Sequence, residues 1–341
     1  MPLKTIVHLV DDTNAGGVTR MLDHIRTAPG MAEIGHHKLQ VVKRGRFSAP
    51  DISGDIIISH LSVSWRTLPM LMALRARYAG LPLIHFEHSY TEAFTATRVP
   101  RQKRFMTLLR TAYSLFDHVV AVSEAQGRWM RQRKLVRADA LRVIPSCVDL
   151  APFLTLEPVY SQPRTIGAIG RFDTQKGFDI LIKAFRATSN PDLRLRLIGD
   201  GVDRTELEAL AAGDTRISFA GYQKDPVAAM ATLDVVAMPS RWEAYGLVAL
   251  EARAAGRPLL VSPVDGLKDH ADQGARVVSG GTLESWREAL EQLASAGPAL
   301  HIETARARAA ARASMYAVHA SWKDLLSPRE ATTGGAPILA A

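Results

Sequence analysis

The sequence predicts an α/β protein of two doubly wound domains, each a parallel sheet covered by helices, facing one another across a cleft. Three observations predict this. At 341 residues the chain is too long for one ordinary core. Short apolar, β-branched runs alternate with helical patterns in both halves, as parallel strands buried on both faces do. A proline-rich passage at 145–163, "PSCVDLAPFLTLEPVYSQP", interrupts that alternation and reads as a linker.

In chain order, the first half offers strands at 5–10, 38–43, 55–60, 82–87 and 118–123. Helical patterns such as "RTLPMLMALRARY" and "KRFMTLLRTAYSLF" lie between most of them. The second half offers strands at 164–170, 193–199, 216–221, 234–239 and 257–262. The expected divisions are a first domain over 1–155, a second over 164–300, a helical segment over 301–326 and a flexible tail over 327–341.

Composition excludes several classes. Hydrophobic residues make up 47% and charged residues 22%, enough to build sizeable cores and too apolar for a disordered polymer. A single cysteine, Cys147, leaves no internal disulfide and fits a reducing compartment. The apolar run near the N-terminus soon meets Asp11 and Asp12, which suits a buried strand better than a signal peptide. No stretch approaches the ~18 apolar residues of a membrane span. A cytoplasmic protein is expected, either free or peripheral on the inner face of a membrane.

Charge is uneven. Residues 1–150 hold 21 Lys/Arg against 12 Asp/Glu, whereas the remainder holds 21 against 22. The excess concentrates in "RVPRQKRFMTLLR" (98–110) and "RWMRQRKLVR" (128–137). Such segments are either solvated helix faces or attractors for an anionic partner, membrane lipid or an acidic substrate. No nucleic-acid motif accompanies them, so nucleic acid is not an expected partner.

The most informative stretch is "PSRWEAYGLVALEARAAGRPLLVS" (239–262). A strand ends near Ser240 and a helix pattern begins at about Tyr245 or Gly246. Glu243 therefore falls in the loop at the strand's carboxyl end, where ligands of doubly wound sheets bind. Glu251 falls some two turns inside the helix. A carboxylate in so apolar a run needs hydrogen-bond donors, and the vicinal hydroxyls of a ribose would supply two. The free amides at Gly246 and Leu247 suit a diphosphate. The structural alternative is an acid facing solvent or paired with Arg253 or Arg257.

A second basic–glycine stretch, "GAIGRFDTQKGFDILIKAF" (167–185), places Arg171 and Lys176 just after a strand. Fixed cations lower the barrier of a reaction that leaves negative charge on a departing group such as a phosphate. Arg171 offers a planar fork and Lys176 a point charge; two surface cations at a helix entry are the plain alternative. Gly16 and Gly17 follow the first strand without forming a dinucleotide fingerprint or a P-loop. They either make a tight turn or let backbone amides approach a phosphate or sugar.

In "PLIHFEHSY", His85 reads as a packed residue, and His88 falls just past the strand, where a cleft-facing loop begins. His85, Glu87 and His88 do not have a recognised zinc spacing, and adjacent Asp11 and Asp12 are not a separated Asp-x-Asp motif. No metal or other cofactor is expected.

These stretches resemble the retaining glycosyltransferases of family 4, which have the GT-B fold of two Rossmann-like domains. Glu243, Ala244, Tyr245, Gly246, Glu251, Ala252 and Gly256 match the family's E-x7-E region. "GAIGRFDTQKGF", "LIGDGVDRTELEAL", "ISFAGYQKD", "NAGGVTRML", "VVAVSEAQ" and "RVIPSCVD" match further family segments. The resemblance runs over most of residues 1–325. It implies transfer of a sugar from a nucleoside diphosphate sugar to an acceptor hydroxyl, in polysaccharide, glycolipid or other glycoconjugate synthesis. It implies that the first domain presents a saccharide, small-molecule or lipid-linked acceptor. Glu251 would hold the ribose, Arg171 and Lys176 the diphosphate, and Glu243 and His88 the donor sugar. Gly16, Gly17, Tyr222, Tyr245, Gly246 and Leu247 would line the donor site. The hinge departs from the family's Pro-Asn-Gly-Val-Asp, with Ser146 and Cys147 replacing the middle pair, so the turn there need not be the same. Rival readings are a nucleotide-sugar-binding or scaffold protein without catalysis, and a sugar-nucleotide epimerase or phosphorylase on the same plan.

Overall fold

A computed structural model describes residues 3–14, 16–159, 162–294 and 299–327. The first half runs β1 (Thr5–Val10), α1 (Gly17–Thr27), α2 (Pro29–Ile34), β2 (His36–Val41), β3 (Ile56–Ser59), α3 (Leu68–Arg77), β4 (Leu83–Glu87), α4 (Glu92–Arg98), α5 (Gln102–Tyr113), β5 (His118–Ala121), α6 (Glu124–Gln132) and β6 (Leu141–Val143). After the linker come β7 (Thr165–Ile169), α7 (Phe178–Arg186), β8 (Arg194–Ile198), α8 (Arg204–Ala211), β9 (Ile217–Phe219), α9 (Pro226–Ala231), β10 (Val235–Met238) and α10 (Leu247–Ala254). The second half closes with β11 (Leu259–Val261), α11 (Leu267–Ala271), β12 (Arg276–Val277), α12 (Leu283–Ala294) and α13 (Ala299–Leu326).

Each half forms a six-stranded sheet, ordered β2-β1-β3-β4-β5-β6 and β12-β11-β10-β7-β8-β9. Every pairing is parallel. The central strands β3, β4 and β10 are buried along their whole length, because helices cover both faces. Edge strand β2 instead alternates between exposed and half-buried positions. Sequence periodicity did not mark β6 and β12, which have only three and two residues.

Strand order reverses between β1 and β3 in the first sheet and between β7 and β10 in the second. A crevice opens at such a reversal, beyond the carboxyl ends of the strands, because successive crossovers leave it in opposite directions. The segments flanking the second reversal are the Arg171–Lys176 loop and the Glu243 loop.

The halves are joined by more than the linker. Helix α13 packs against α10 of the second half and α2 of the first. Its Arg308 donates to the Leu154 carbonyl (2.5 Å), and His319 Nε2 lies 2.8 Å from the Gly30 carbonyl. In the hinge, neither Ser146 nor Cys147 has a positive φ, so the turn forms without the family's glycine. Cys147 is buried, which pushes its thiol up to about 12. Of the expected tail, residues 328–341 lie outside the described residues.

Candidate active site

At the reversal between β7 and β10, two loops converge. A short 3-10 turn over Thr174–Lys176 follows β7, and the Asp173 carboxylate caps it by accepting from the Lys176 amide. Gly177 ends the turn at φ +65°, and a Cβ there would lie 2.2 Å from the Pro239 carbonyl oxygen. Only glycine allows both the left-handed φ and that approach. The loops are then stapled, with Arg241 N donating to the Gln175 carbonyl at 2.8 Å and Gln175 Nε2 to the Trp242 carbonyl at 3.1 Å.

This stapling brings Lys176 Nζ to 2.5 Å from Glu243 Oε2, with the two side chains 16% and 12% exposed. Two residues 67 positions apart thus form one ion pair at the crevice. Arg171, by contrast, is turned outward, 73% exposed, with Nε 3.4 Å from Asp173 Oδ2. The structure brings Lys176 to Glu243 and leaves Arg171 at the rim.

Gly246 precedes α10 at φ +93°, and a Cβ on it would stand 2.8 Å from Leu267 Cδ2. Across the cleft, the Gly16–Gly17 turn begins α1, and a Cβ on Gly17 would meet Leu247 Cδ1 at 3.3 Å. The first half's glycine turn and the second half's helix entry therefore face each other at close range.

Glu251 is the fifth residue of α10, one turn in and not two, because the helix starts only at Leu247. It is 2% exposed, and neither Arg253 nor Arg257 is its partner. Its Oε1 lies 2.5 Å from Arg20 Nη2 of α1, across the cleft. The contact is an ion pair without good hydrogen-bond alignment at Oε1. Burial raises the Glu251 pKa, opposed by the Arg20 charge. Arg253 turns into the core instead, where its Nη1 lies 2.9 Å from His270 Nδ1.

Tyr245 is 7% exposed, its ring packed 4.8 Å from the His270 ring, so its side chain belongs to the core. Burial raises its hydroxyl pKa. Tyr222 is 62% exposed on the loop after β9, where its ring is open to a ligand.

Two carboxylates that sequence reasoning missed hold the halves together. Asp265 accepts from Thr91 Oγ1 (2.7 Å) and the Ala93 amide (3.0 Å) at the start of α4, and from the Glu243 amide (3.2 Å). Asp269 accepts from the Glu124 and Ala125 amides at the start of α6, at 2.5 and 3.1 Å. Each acid satisfies helix N-terminal donors of the other half, as a cap residue would within one chain segment. Asp265 does so from a left-handed φ of +37°, which aspartate tolerates better than most residues. Burial raises the pKa of both.

His88 is half-buried at the carboxyl end of β4. It heads a row of rings: His60 Nδ1 lies 2.8 Å from His88 Nε2, His8 Nδ1 2.9 Å from His60 Nε2, and His37 Nδ1 2.9 Å from His8 Nε2. His85 is buried, as expected of a packed residue, with Nε2 3.4 Å from Glu87 Oε2. Glu87 also accepts from Tyr113 and from the Ser89 and Tyr90 amides. No metal-binding cluster of three or more His, Cys, Asp or Glu occurs among the described residues.

Comparison with known proteins bears on this geometry. Residues 163–296 match the family model described as glycosyl transferases group 1, and residues 39–152 match that of glycosyltransferase family 4. The chain is 29% identical over 290 residues to a D-inositol 3-phosphate glycosyltransferase of Segniliparus rotundus, covering 75% of this chain and 63% of that protein. It is 28% identical over 300 residues to the lipopolysaccharide core biosynthesis glycosyltransferase LpsE of Rhizobium meliloti, covering 82% and 85%. The chain thus spans somewhat under two thirds of the length of the first of these relatives. The fold is shared with Anabaena HepE solved in complex with UDP, at a TM-score of 0.74, 17% identity, and 94% and 99% coverage of the two chains. It is shared too with WaaG, a glycosyltransferase involved in lipopolysaccharide biosynthesis, at 0.71, 17%, and 97% and 100%.

Proposed function

The chain belongs to glycosyltransferase family 4 and has its two-domain GT-B fold, and from that premise we propose that it transfers a sugar, with retention, from a nucleoside diphosphate sugar to an acceptor hydroxyl. The observation that carries this reading is the meeting of Lys176 and Glu243 at the strand-order reversal of the second sheet. A half-buried cation beside a carboxylate, next to the entry of α10, suits a diphosphate joined to a sugar. Lys176 takes the phosphate charge, and Glu243 accepts hydrogen bonds from sugar hydroxyls.

In this reading Glu251 receives the ribose, the amides at Gly246 and Leu247 meet the phosphates, and Gly16 and Gly17 close over them from the first half. Arg171 swings in from the rim when the diphosphate arrives, and Tyr222 borders the base. The transfer is a front-face displacement. The bond from the anomeric carbon to the diphosphate oxygen breaks, and the acceptor oxygen bonds to that carbon on the same face. The acceptor proton passes to the departing diphosphate oxygen. Products are the glycoside, α-linked from an α-configured donor, and the nucleoside diphosphate. No enzymic nucleophile is required, because Glu243 and Glu251 serve opposite ends of the donor instead of flanking the reacting carbon. No metal or other cofactor takes part.

The acceptor is a saccharide or lipid-linked hydroxyl in glycoconjugate synthesis, as the functions named for LpsE and WaaG suggest. Among the described residues no helix is long and apolar enough to cross a membrane. The basic segments of α5 and α6 lie side by side, since the Arg110 guanidinium donates to the Arg133 and Lys134 carbonyls at 2.9 and 3.2 Å. Arg101, Lys103, Arg104, Arg131, Arg133 and Lys134 are all exposed. That face suits a peripheral contact with anionic lipid.

A panel of nucleotide sugars, beginning with uridine diphosphate sugars because HepE was solved with UDP, tests the donor. A ligand at 100 times its dissociation constant adds about 2.7 kcal/mol to the native state. The true donor raises the melting temperature of the parent and raises that of Glu251→Ala clearly less. A panel in which no nucleotide sugar has an effect contradicts the reading.

A further inference from the structure

Arg253 lies on the helix entered at Gly246, and the transfer chemistry leaves it unused. It is 0% exposed, and its Nε and Nη2 have no hydrogen-bond partner among the described residues. Its Nη1 meets His270 Nδ1 of α11 at 2.9 Å, and no carboxylate of the described residues pairs with it. A guanidinium keeps its proton even when buried, so an uncompensated positive charge bears on one imidazole.

The contacts of that imidazole fix where its proton sits. Arg253 can only donate, so His270 Nδ1 accepts and is bare. On the opposite side of the ring, His270 Nε2 lies 3.1 Å from the Tyr245 carbonyl oxygen, which can only accept. The ring therefore carries its proton on Nε2 and donates it to that carbonyl. His270 is 1% exposed, and burial first, then the Arg253 charge, lowers its pKa to about 3, in keeping with a neutral ring.

Helix α10 makes no use of the Tyr245 carbonyl. Its first turn is closed by the Gly246 carbonyl, which accepts from the Ala249 amide at 2.9 Å. The Tyr245–Gly246 peptide is trans, so its N–H points opposite to its C=O. With the carbonyl gripped by His270, the Gly246 N–H is directed away from that buried ring, and among the described residues it has no acceptor. Hydrogen bonds in series polarise one another, and this series begins on a full charge, which makes the Gly246 N–H a stronger donor.

We propose that Arg253 and His270 are positioning residues that hold and polarise the Tyr245–Gly246 peptide, so that the Gly246 N–H is a fixed donor to the departing diphosphate. A donor aimed in advance at developing charge needs no reorganisation when the bond breaks. The diphosphate contact rests on the donor reading above, whereas the relay from Arg253 through His270 to Tyr245 stands on the protein alone.

Nitrogen-15 NMR of histidine-labelled full-length protein at pH 7, without ligand, reads the His270 tautomer, with His270→Gln identifying its signals. The ring is expected neutral and protonated on Nε2, with an Nδ1 resonance that moves in Arg253→Met as its hydrogen bond is lost. An Nδ1–H tautomer, an imidazolium, or an Nδ1 resonance unmoved in Arg253→Met overturns the relay. Binding is then measured with whichever of UDP, GDP and ADP the parent binds, beside the matching nucleoside. Arg253→Met and His270→Leu should each weaken diphosphate binding about tenfold, the loss expected of one charge-assisted hydrogen bond. Nucleoside affinity should be unchanged in both, whereas a disturbed fold would lower it too. His270→Gln keeps a donor for the carbonyl and an acceptor for Arg253, so it should bind the diphosphate nearly as the parent does. Equal losses for nucleoside and diphosphate, or His270→Gln no better than His270→Leu, refute the positioning role. Arg253→Met replaces a buried unpaired charge with an apolar side chain and is expected to fold, so it decides the matter if His270→Leu does not. If none of the three diphosphates binds, the donor reading falls, and the apo spectrum decides the relay on its own.

Discussion

Arg20 of α1 and Glu251 of α10 form an ion pair across the cleft, Nη2 to Oε1 at 2.5 Å, with the carboxylate buried and the guanidinium 37% exposed. The residue proposed to receive a ribose is thus already held by a cation of the opposite half. Nucleotide binding and closure of the cleft share one carboxylate, so they must be coupled.

That coupling is measurable as a double-mutant cycle on nucleotide affinity. Glu251→Ala should weaken nucleotide binding tenfold or more, and Arg20→Ala should change it as well. The double variant should depart from additivity by about 1 kcal/mol, where independent sites add within ~0.3–0.5 kcal/mol. Arg20→Ala should also destabilise the apo protein by on the order of 2 kcal/mol, below the range for a fully buried pair because Arg20 is partly screened. Strict additivity would mean the pair plays no part in binding.

Lys176 and Glu243 are each other's partner. Lys176→Met should cut transfer on the order of 100-fold, the usual effect of removing a transition-state stabiliser. Its melting temperature should fall by only a few degrees, because the pair is open to solvent on one side. Glu243→Ala should reduce turnover with nucleotide binding largely retained. Steady-state kinetics beside thermal melts separate the two effects, and a stability loss that accounts for the whole loss of rate would assign both residues a structural role.

Much of the two sheets was legible because central strands such as Ile56–Ser59 and Val235–Met238 are apolar, β-branched runs. Glu243, Glu251 and Lys176 were legible because charge at a strand's end or inside an apolar helix has few structural excuses. Their partners were not. Arg20 lies 231 positions from Glu251, and Asp265 reaches Thr91 across 174 residues. Local pattern carries no information about which groups two folded halves bring face to face. That the Tyr245 ring turns inward was hidden for a related reason, since local pattern does not say which side of a loop packs. The histidine row was hidden because its members come from four different strands or strand ends, each unremarkable alone.

Stability should depend on pH through the buried histidines. His8 and His270 are lowered to about 3 and His88 to about 4 from 6.5, by burial first. Below pH 6.5 the unfolded chain takes up protons that the fold refuses, so stability is full above that pH and is lost as pH falls toward 4 and then 3. Each such histidine contributes a slope of up to about 1.4 kcal/mol per pH unit. Asp265, Asp269 and Glu251 oppose this, because their raised values let the fold bind protons first, but only nearer the carboxylate range. Urea unfolding at pH 7.5, 6.5 and 5.5 should show a small loss in the first interval and a roughly threefold larger one in the second. Equal stability at the two lower values would contradict neutral buried rings.

Membrane contact should follow the basic face of α5 and α6. Each Lys or Arg near an anionic surface is worth about 1 kcal/mol, and the attraction decays over ~8 Å at physiological salt. Co-sedimentation with anionic vesicles should be strong at low salt, weak at high salt, and reduced when Arg101, Lys103 and Arg104 are changed to Gln. Equal, negligible binding to anionic and neutral vesicles at low salt would instead indicate a soluble acceptor.

The central claim is that sugar leaves a nucleoside diphosphate at the Lys176–Glu243 crevice with its configuration kept. Proton NMR of the anomeric signals tests it most directly, following the nucleotide sugar that stabilises the protein in the presence of a hydroxyl acceptor. The parent should release nucleoside diphosphate and form an α-linked product from an α-configured donor, and Glu243→Ala and Lys176→Met should do so far more slowly. A donor that binds and is never consumed, or a β-linked product, would contradict the account.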